Sequence, residues 1–135
     1  MQYRSSMAGQ NIALTQAEWR IIKTVWNHEP CVAPTVQEKL FKQTRWSNST
    51  VRTMMDRMVS KGLLSAERVK NATFYRAAIT RQQAQRSELL YALKLAFNGA
   101  LTPMVQSLIE ARDVSLSDLE ELETLIRTRK KRARI

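Results

Sequence analysis

The stretch WSNSTVRTMMDRMVSKGLL, residues 46–64, has the pattern of an amphipathic helix. Apolar side chains recur every three to four positions, at Val51, Met54, Met55, Met58 and Val59. The other side carries hydroxyl, guanidinium and carboxylate groups, at Ser49, Arg52, Thr53, Asp56, Arg57 and Ser60. Ser47 is placed to cap the start of this helix, and Gly62 is placed to end it in the left-handed conformation. The sequence therefore predicts one face in the core and one polar face that is open to a partner.

Two shorter amphipathic helices are predicted before this one. Their capping pairs are Thr15 with Glu18 and Thr35 with Glu38. The first helix carries Trp19, Ile21, Ile22, Val25 and Trp26, and the second, which restarts near Pro34, turns Val36, Leu40 and Phe41 inward. The first must end before Pro30, because proline cannot continue a helix.

Residues 64–78, LSAERVKNATFYRAA, change from helical to strand character. Two short runs flank the triplet KNA, in which Asn71 tolerates the positive φ of a tight turn. Thr73, Phe74 and Tyr75 favour a strand. Three short helices followed by a β-hairpin is the order of a winged helix-turn-helix. The predicted fold class is mainly α with a small β-hairpin, followed by a C-terminal helical region.

Three more amphipathic helices are predicted after the hairpin. Their expected starts are a capping box of Thr80 with Gln83, the pair Thr102–Pro103, and a capping box of Ser117 with Glu120. They carry more apolar surface than a winged helix head of this size needs and would leave an exposed patch, so we expect them to pack against a second copy. The residues predicted in this homodimer contact are Leu89, Leu90, Leu93, Phe97, Leu108, Leu119, Leu122 and Ile126.

The chain is therefore predicted to have four parts. Residues 1–13 form a disordered N-terminal arm and residues 14–79 a winged helix domain. Residues 80–127 form a helical dimerisation region, and residues 128–135 form a basic tail.

Charge is segregated along the chain, whose formal net charge is +10. Residues 1–87 contain 14 Lys and Arg against 5 Asp and Glu, whereas residues 88–126 contain 2 against 7. The last nine residues, RTRKKRARI, add 6 positive charges. The basic front implies an anionic partner, most simply nucleic acid. The acidic rear indicates a separate role.

The polar face of the opening stretch has the chemistry that the DNA major groove requires. The groove admits one helix, whose N-terminal residues come closest to the bases, and Arg, Ser and Thr pair with base edges. The base-reading candidates are therefore Ser49, Thr50, Arg52 and Thr53, while Arg57 and Lys61, further along, are phosphate candidates. With the helix cap and the hairpin cations, the predicted DNA-binding set is Ser47, Ser49, Thr50, Arg52, Thr53, Arg57, Lys61, Arg68, Lys70 and Arg76.

No pattern in the sequence predicts an enzyme, a metal site or a cofactor site. Cys31 and His28 are the single cysteine and the single histidine, which is too few ligands for an ordinary metal site. Gly-rich phosphate loops and HExxH are both missing from the sequence. The rear carboxylates lack the spacing and the glycine of a calcium loop. Because no apolar run can span a bilayer and no signal peptide pattern is present, we expect a cytoplasmic protein without a membrane partner.

Three segments resemble the BlaI/MecI/CopY family of bacterial transcriptional repressors: LTQAEWRIIKTVW (14–26), WSNSTVRTMMDRMVSKGLL (46–64) and ATFYRAAIT (72–80). The resemblance covers about residues 12–126. It implies a homodimeric repressor with an N-terminal winged helix domain and C-terminal dimerisation helices. It also implies a pseudo-palindromic operator of TACA/TGTA type, read by Ser49, Thr50, Arg52 and Thr53.

The resemblance leaves the mechanism of release open. In the β-lactam branch of the family, a membrane sensor-protease leads to cleavage of an Asn-Phe bond in the dimerisation region. Here MVQSLIEAR aligns with that segment and places Ser107 and Leu108 at the bond, so the helix is kept but the dipeptide is not. The copper branch uses C-terminal cysteine pairs, which this chain lacks. The basic tail departs from both branches, and it is expected either to attract DNA or to fold onto the acidic face of the last helices.

Two alternatives from other classes stay open at this point. A winged helix can also bind RNA, or it can serve as a protein-interaction adaptor. An adaptor predicts an acidic or apolar face on residues 49–60, which the sequence does not offer.

Overall fold

The computed structural model describes residues 13–134. Within them the chain forms helices α1 (Gln16–His28), α2 (Ala33–Thr44) and α3 (Asn48–Ser60), and then strands β1 (Leu64–Val69) and β2 (Ala72–Ala77). Helices α4 (Arg81–Phe97), α5 (Leu101–Ala111) and α6 (Leu116–Ala133) follow. The fold class predicted from the sequence, mainly helical with one small hairpin, is confirmed. The predicted disordered arm lies, except for Ala13, outside the described residues.

The core of the winged helix lies where α1, α2 and α3 meet β2. Its fully buried side chains are Ile21, Ile22, Val25, Val36, Val51, Met55, Met58, Leu63 and Tyr75. In α3 the buried positions follow the predicted spacing, while Met54 and Val59 are only partly buried and pack against this core. Burial of these apolar side chains is the main stabilising contribution to this domain.

The hairpin is antiparallel, with Leu64 opposite Ala77 at its base and Val69 opposite Ala72 at its tip. A third short segment joins it, because Cys31 N–H donates to the Tyr75 carbonyl (3.1 Å) and Tyr75 N–H donates to the Cys31 carbonyl (2.7 Å). The turn lies at Lys70 and Asn71, as predicted, but the residue with positive φ is Lys70 (56°) and not Asn71. Asn71 therefore lies in the predicted turn, but Lys70 adopts the left-handed backbone conformation.

Local signals at the first three helices were confirmed in part. Thr15 and Glu18 form the predicted capping box of α1, and the Ser47 side chain accepts the Thr50 N–H at the start of α3. The Thr35 cap is wrong, because the N-cap of α2 is Val32, three residues earlier, and it makes no side-chain cap hydrogen bond. Phe41 is also not a core residue: it is exposed, with the Arg45 guanidinium 5.0 Å from its ring.

Contacts in the described chain group the residues up to Ala92 into a front unit and the residues from Leu93 into a rear unit. The first half of α4 belongs to the front unit. Trp19 Nε1 donates to Glu88 Oε1 (3.3 Å), and Ala84 is buried in the front core. The division between these two units therefore falls inside α4. The domain limits set from the sequence stay a prediction.

The rear unit is made of the end of α4 together with α5 and α6. The start of α6 was assigned wrongly: Ser115, not Ser117, is the cap, and its Oγ accepts the Asp118 N–H (3.0 Å). Helix α6 then continues to Ala133, so most of the predicted basic tail is the last part of a helix. None of the residues of α5 and α6, all of which lie in the described range, is buried. Across residues 13–134, no helix combines the length and apolar character needed to cross a membrane.

Candidate nucleic-acid interface

Helix α3 presents one continuous polar face to solvent. With Val51, Met55 and Met58 turned into the core, the opposite side of the helix is exposed. We call this side the recognition face and define it by Ser49, Thr50, Arg52, Thr53, Asp56 and Arg57. All four predicted base-reading residues belong to it, so the structure brings them together on one accessible surface.

Ser47 differs from the other predicted contacts because its hydroxyl is used within the helix start. Ser47 Oγ accepts the Thr50 N–H (3.1 Å), donates to Thr50 Oγ1 (3.0 Å) and lies 3.1 Å from Ser49 Oγ. A side chain that caps the helix in this way holds the first turn in place. Ser47 is therefore placed to position Ser49 and Thr50 at the N-terminal end of the recognition face.

Arg52 is held by a carboxylate on its own helix. Arg52 Nε lies 3.4 Å from Asp56 Oδ2, and the other oxygen, Asp56 Oδ1, accepts a hydrogen bond from the Tyr75 hydroxyl (2.7 Å). Burial raises the pKa of Tyr75 to about 12; the hydrogen bond and the charge of Asp56 add to this, and Arg52 opposes it. The Tyr75 hydroxyl thus keeps its proton at ordinary pH and donates it to the carboxylate.

Sequence reasoning placed Asp56 on the polar face and Tyr75 in a strand without giving either a role. The Arg52–Asp56 pair had a detectable signal, since opposite charges four residues apart on a helix face each other. The contact between Asp56 and Tyr75 had none, because it joins two elements that are apart in the sequence.

Among the predicted phosphate contacts, Arg57 and Lys61 differ in their surroundings. Arg57 is exposed on the recognition face. Lys61 Nζ forms an ion pair with Glu18, whose other oxygen accepts the Thr15 N–H (2.9 Å). Lys61 therefore ties the end of α3 to the start of α1, and part of its charge is compensated within the protein.

The three hairpin cations do not form one cluster. Arg68 and Lys70 are both at the tip, where Arg68 Nε donates to the Lys70 carbonyl (3.4 Å). Arg76 pairs with Ser65 near the base, about 13 Å along the strand from the Val69–Ala72 pair at the tip, at the usual rise per residue. By the alternation of side chains along a strand, Arg76 lies on the sheet face opposite to Arg68 and Tyr75.

The rear helices expose a broad apolar surface. Of the predicted dimer residues, Leu93 and Phe97 are partly buried and the others are exposed. The rear unit also carries two open grooves, of about 430 Å³ and 600 Å³. Leu108 and Leu122 line the first groove, and Ile126 lines the second. Neither α5 nor α6 has a buried side chain. Four of the predicted dimer residues lie on these two helices: Leu108, Leu119, Leu122 and Ile126.

A family model described as the penicillinase repressor matches residues 14–128. The chain belongs to the penicillinase repressor family. Membership confirms the resemblance drawn from the sequence and the general class of function, a DNA-binding repressor.

Individual members of the family align with most of this chain. The methicillin resistance regulatory protein MecI of Mammaliicoccus sciuri is 21% identical over 120 residues, which cover 89% of this chain and 98% of the relative. The penicillinase repressor of Bacillus licheniformis is 26% identical over 119 residues, covering 88% of this chain and 93% of the relative. Among solved structures, the Bacillus licheniformis BlaI monomeric form in complex with the blaP half-operator matches with a TM-score of 0.47. That match has 26% identity and covers 55% of this chain and 90% of the other.

The segment that aligns with the cleavage site of the family is helical in this member. Ser107 and Leu108 lie in the second half of α5, and both side chains are exposed. Whether this segment is cut stays a prediction.

Across residues 13–134, no group of three or more His, Cys, Asp or Glu side chains is arranged to hold a metal ion. Burial raises the pKa of the Cys31 thiol, and the nearby Glu29 carboxylate adds to the effect, so the thiolate that metals bind is disfavoured.

Proposed function

We propose that this chain represses transcription by binding, as a homodimer, a pseudo-palindromic operator of TACA/TGTA type. The observation that carries the proposal is the recognition face of α3. Hydroxyl and guanidinium groups cover the exposed side of a helix whose opposite side is anchored by Val51, Met55 and Met58 in the core. A rigidly held helix of this kind is what the major groove accommodates.

The roles proposed along α3 follow from position. Ser49, Thr50, Arg52 and Thr53 occupy the first two turns, where side chains reach base edges. Arg can form two hydrogen bonds with guanine O6 and N7, and the Thr methyl can contact a thymine methyl. Arg57, one turn beyond Thr53, is assigned to a phosphate, since cations at the rim of the groove meet the backbone first.

Other cations supply attraction that does not depend on sequence. Arg68 and Lys70 at the hairpin tip are proposed to contact the adjacent backbone, with Arg76 as a separate contact from the hairpin base. The cationic end of α6, residues 127–134, is proposed to add to this attraction. This segment continues the helix beyond its acidic residues, and Arg127 lies one turn after Glu123.

Dimerisation is proposed to use the apolar surface of the rear helices. Leu108, Leu122 and Ile126 line open grooves, and an unpaired surface of this kind is unfavourable in water. Two linked heads bind two half-sites with a high effective local concentration of the second head. Any event that separates the copies removes this gain, and cleavage near Ser107–Leu108 through a sensor-protease pathway is one such event.

The proposal is tested with the full chain in a fluorescence-anisotropy titration. The probes are a duplex with inverted TACA and TGTA half-sites, a duplex of the same composition with both half-sites scrambled, and an RNA duplex of the same length. We expect binding to the first probe to be tighter than to the others by a factor of about 10³ or more. Equal affinity for all three probes, or a preference for RNA, would contradict the proposed function.

A further inference from the structure

We propose that Asp56 and Tyr75 are positioning residues that determine operator specificity by fixing the guanidinium of Arg52 for guanine. Neither residue is proposed to contact a base. The inference rests on the proposed function and deepens it, because it names the residues that determine how selective the recognition face is.

The positioning chain starts in the core. The Tyr75 side chain is fully buried, and its backbone N–H and carbonyl are both hydrogen-bonded to Cys31. Its hydroxyl donates to Asp56 Oδ1 at 2.7 Å, which fixes a carboxylate that is otherwise on the protein surface. Asp56 is therefore held by the wing as well as by its own helix.

The second step concerns which part of Arg52 is used. Asp56 Oδ2 engages Nε, at 3.4 Å, on the side of the guanidinium nearest the backbone. The two terminal nitrogens of an arginine are the donors that fork onto guanine O6 and N7. A carboxylate that engages Nε restricts the orientation of the guanidinium and so directs its terminal nitrogens.

The third step is energetic. An exposed ion pair of this kind adds little to folding stability, because water screens it and ordering the side chains costs entropy. The Asp56 carboxylate also repels DNA phosphates, so it should weaken non-specific binding. Asp56 therefore adds little to folding stability and opposes the general attraction to DNA. Its presence is explained if it pre-orients Arg52, because pre-orientation lowers the entropy that this side chain loses on binding a base.

This reasoning predicts changes of opposite sign for Asp56→Asn. On an operator duplex the variant should lose affinity by about tenfold, a fraction of the value of one guanine contact. On random duplex it should bind as well as the parent chain or tighter, because one negative charge has been removed. The ratio of the two affinities is the quantity to measure, since a purely structural role would lower both together.

The probe is the duplex that the parent chain enriches from a random pool, compared with the unselected pool. Tyr75→Phe keeps the buried ring and removes only the hydroxyl, and it should lower the ratio in the same direction. Tyr91→Phe, at an exposed tyrosine of α4, is the matched control and should leave the ratio unchanged. Thermal melting of each variant shows which chains are folded. Asp56 is at an exposed site, so Asp56→Asn should fold and can be tested even if Tyr75→Phe unfolds.

A double-mutant cycle assigns the effect to Arg52. In an Arg52→Ala background, Asp56→Asn should cause no further loss of selectivity. If the loss is the same in both backgrounds, or if Asp56→Asn leaves the ratio unchanged, the positioning role is overturned. A parent chain that enriches no duplex at all defeats the proposed function instead, so the two failures are distinguishable.

Discussion

Replacing Leu108 by alanine should weaken the dimer without harming the fold of the single chain. Leu108 is 61% exposed on α5 and lines a groove with Leu122, so its side chain supports no core in the monomer. Full burial of a leucine side chain contributes about 1.5–3 kcal/mol, so burying the exposed part at an interface contributes about 1–2 kcal/mol. A two-fold dimer contains the contact twice, which raises the expected loss to about 2–4 kcal/mol.

This loss corresponds to a dimer dissociation constant about 30 to 900 times higher. Sedimentation equilibrium over a range of protein concentrations measures it directly. Leu95→Ala is the matched control, because Leu95 is 69% exposed but lies on the opposite side of α4 from Leu93 and Phe97. An unchanged dissociation constant for Leu108→Ala would remove Leu108 from the interface. A parent chain that stays monomeric at tens of micromolar would refute the dimer reasoning as a whole.

Three further predictions address the DNA contacts and the buried tyrosine. Arg52→Ala should cost about 1–3 kcal/mol on operator DNA and relax sequence preference, whereas Arg57→Ala should weaken operator and random duplex alike; competition titrations distinguish the two patterns. Replacing the Lys and Arg residues of 127–134 by Gln should make log affinity less dependent on log salt concentration. The slope should decrease in magnitude by about 0.9 for each phosphate that the variant no longer neutralises, and the ratio of operator to random affinity should stay unchanged. An equal slope would show that α6 does not touch DNA. The pKa of Tyr75 is raised in the folded chain to about 12 from the ordinary 10.0, so its stabilising effect is complete below pH 10 and is lost as pH rises toward 12. Urea unfolding should therefore show a smaller alkaline loss of stability for Tyr75→Phe than for the parent, and equal losses would contradict the assignment.

Local signals were sufficient for most of the element order but not for every boundary. Thr15, Ser47 and Thr80 cap helices as predicted, since a cap needs only a hydroxyl at the right distance from free N–H groups. The predicted cap of α6 was Ser117 with Glu120, whereas the cap in the structure is Ser115 with Asp118, and the local pattern is the same for both serines. Which serine becomes the cap depends on where the preceding chain leaves its extended conformation.

The sequence alone determined the recognition face. Apolar side chains at a helical period force one side of residues 48–60 into a core, and the hydroxyl and guanidinium groups must then face outward. No tertiary information is needed for this result, because helical geometry fixes which residues share a side.

Only the tertiary structure decided what holds that face in place. Tyr75 reaches Asp56 across 19 residues of sequence, and Lys61 reaches Glu18 across 43. Such partners have no local signal, because their meeting depends on how the hairpin and α1 pack against α3. The physical reason is that periodicity determines which side of an element is buried, whereas the packed core determines which elements come within hydrogen-bonding distance.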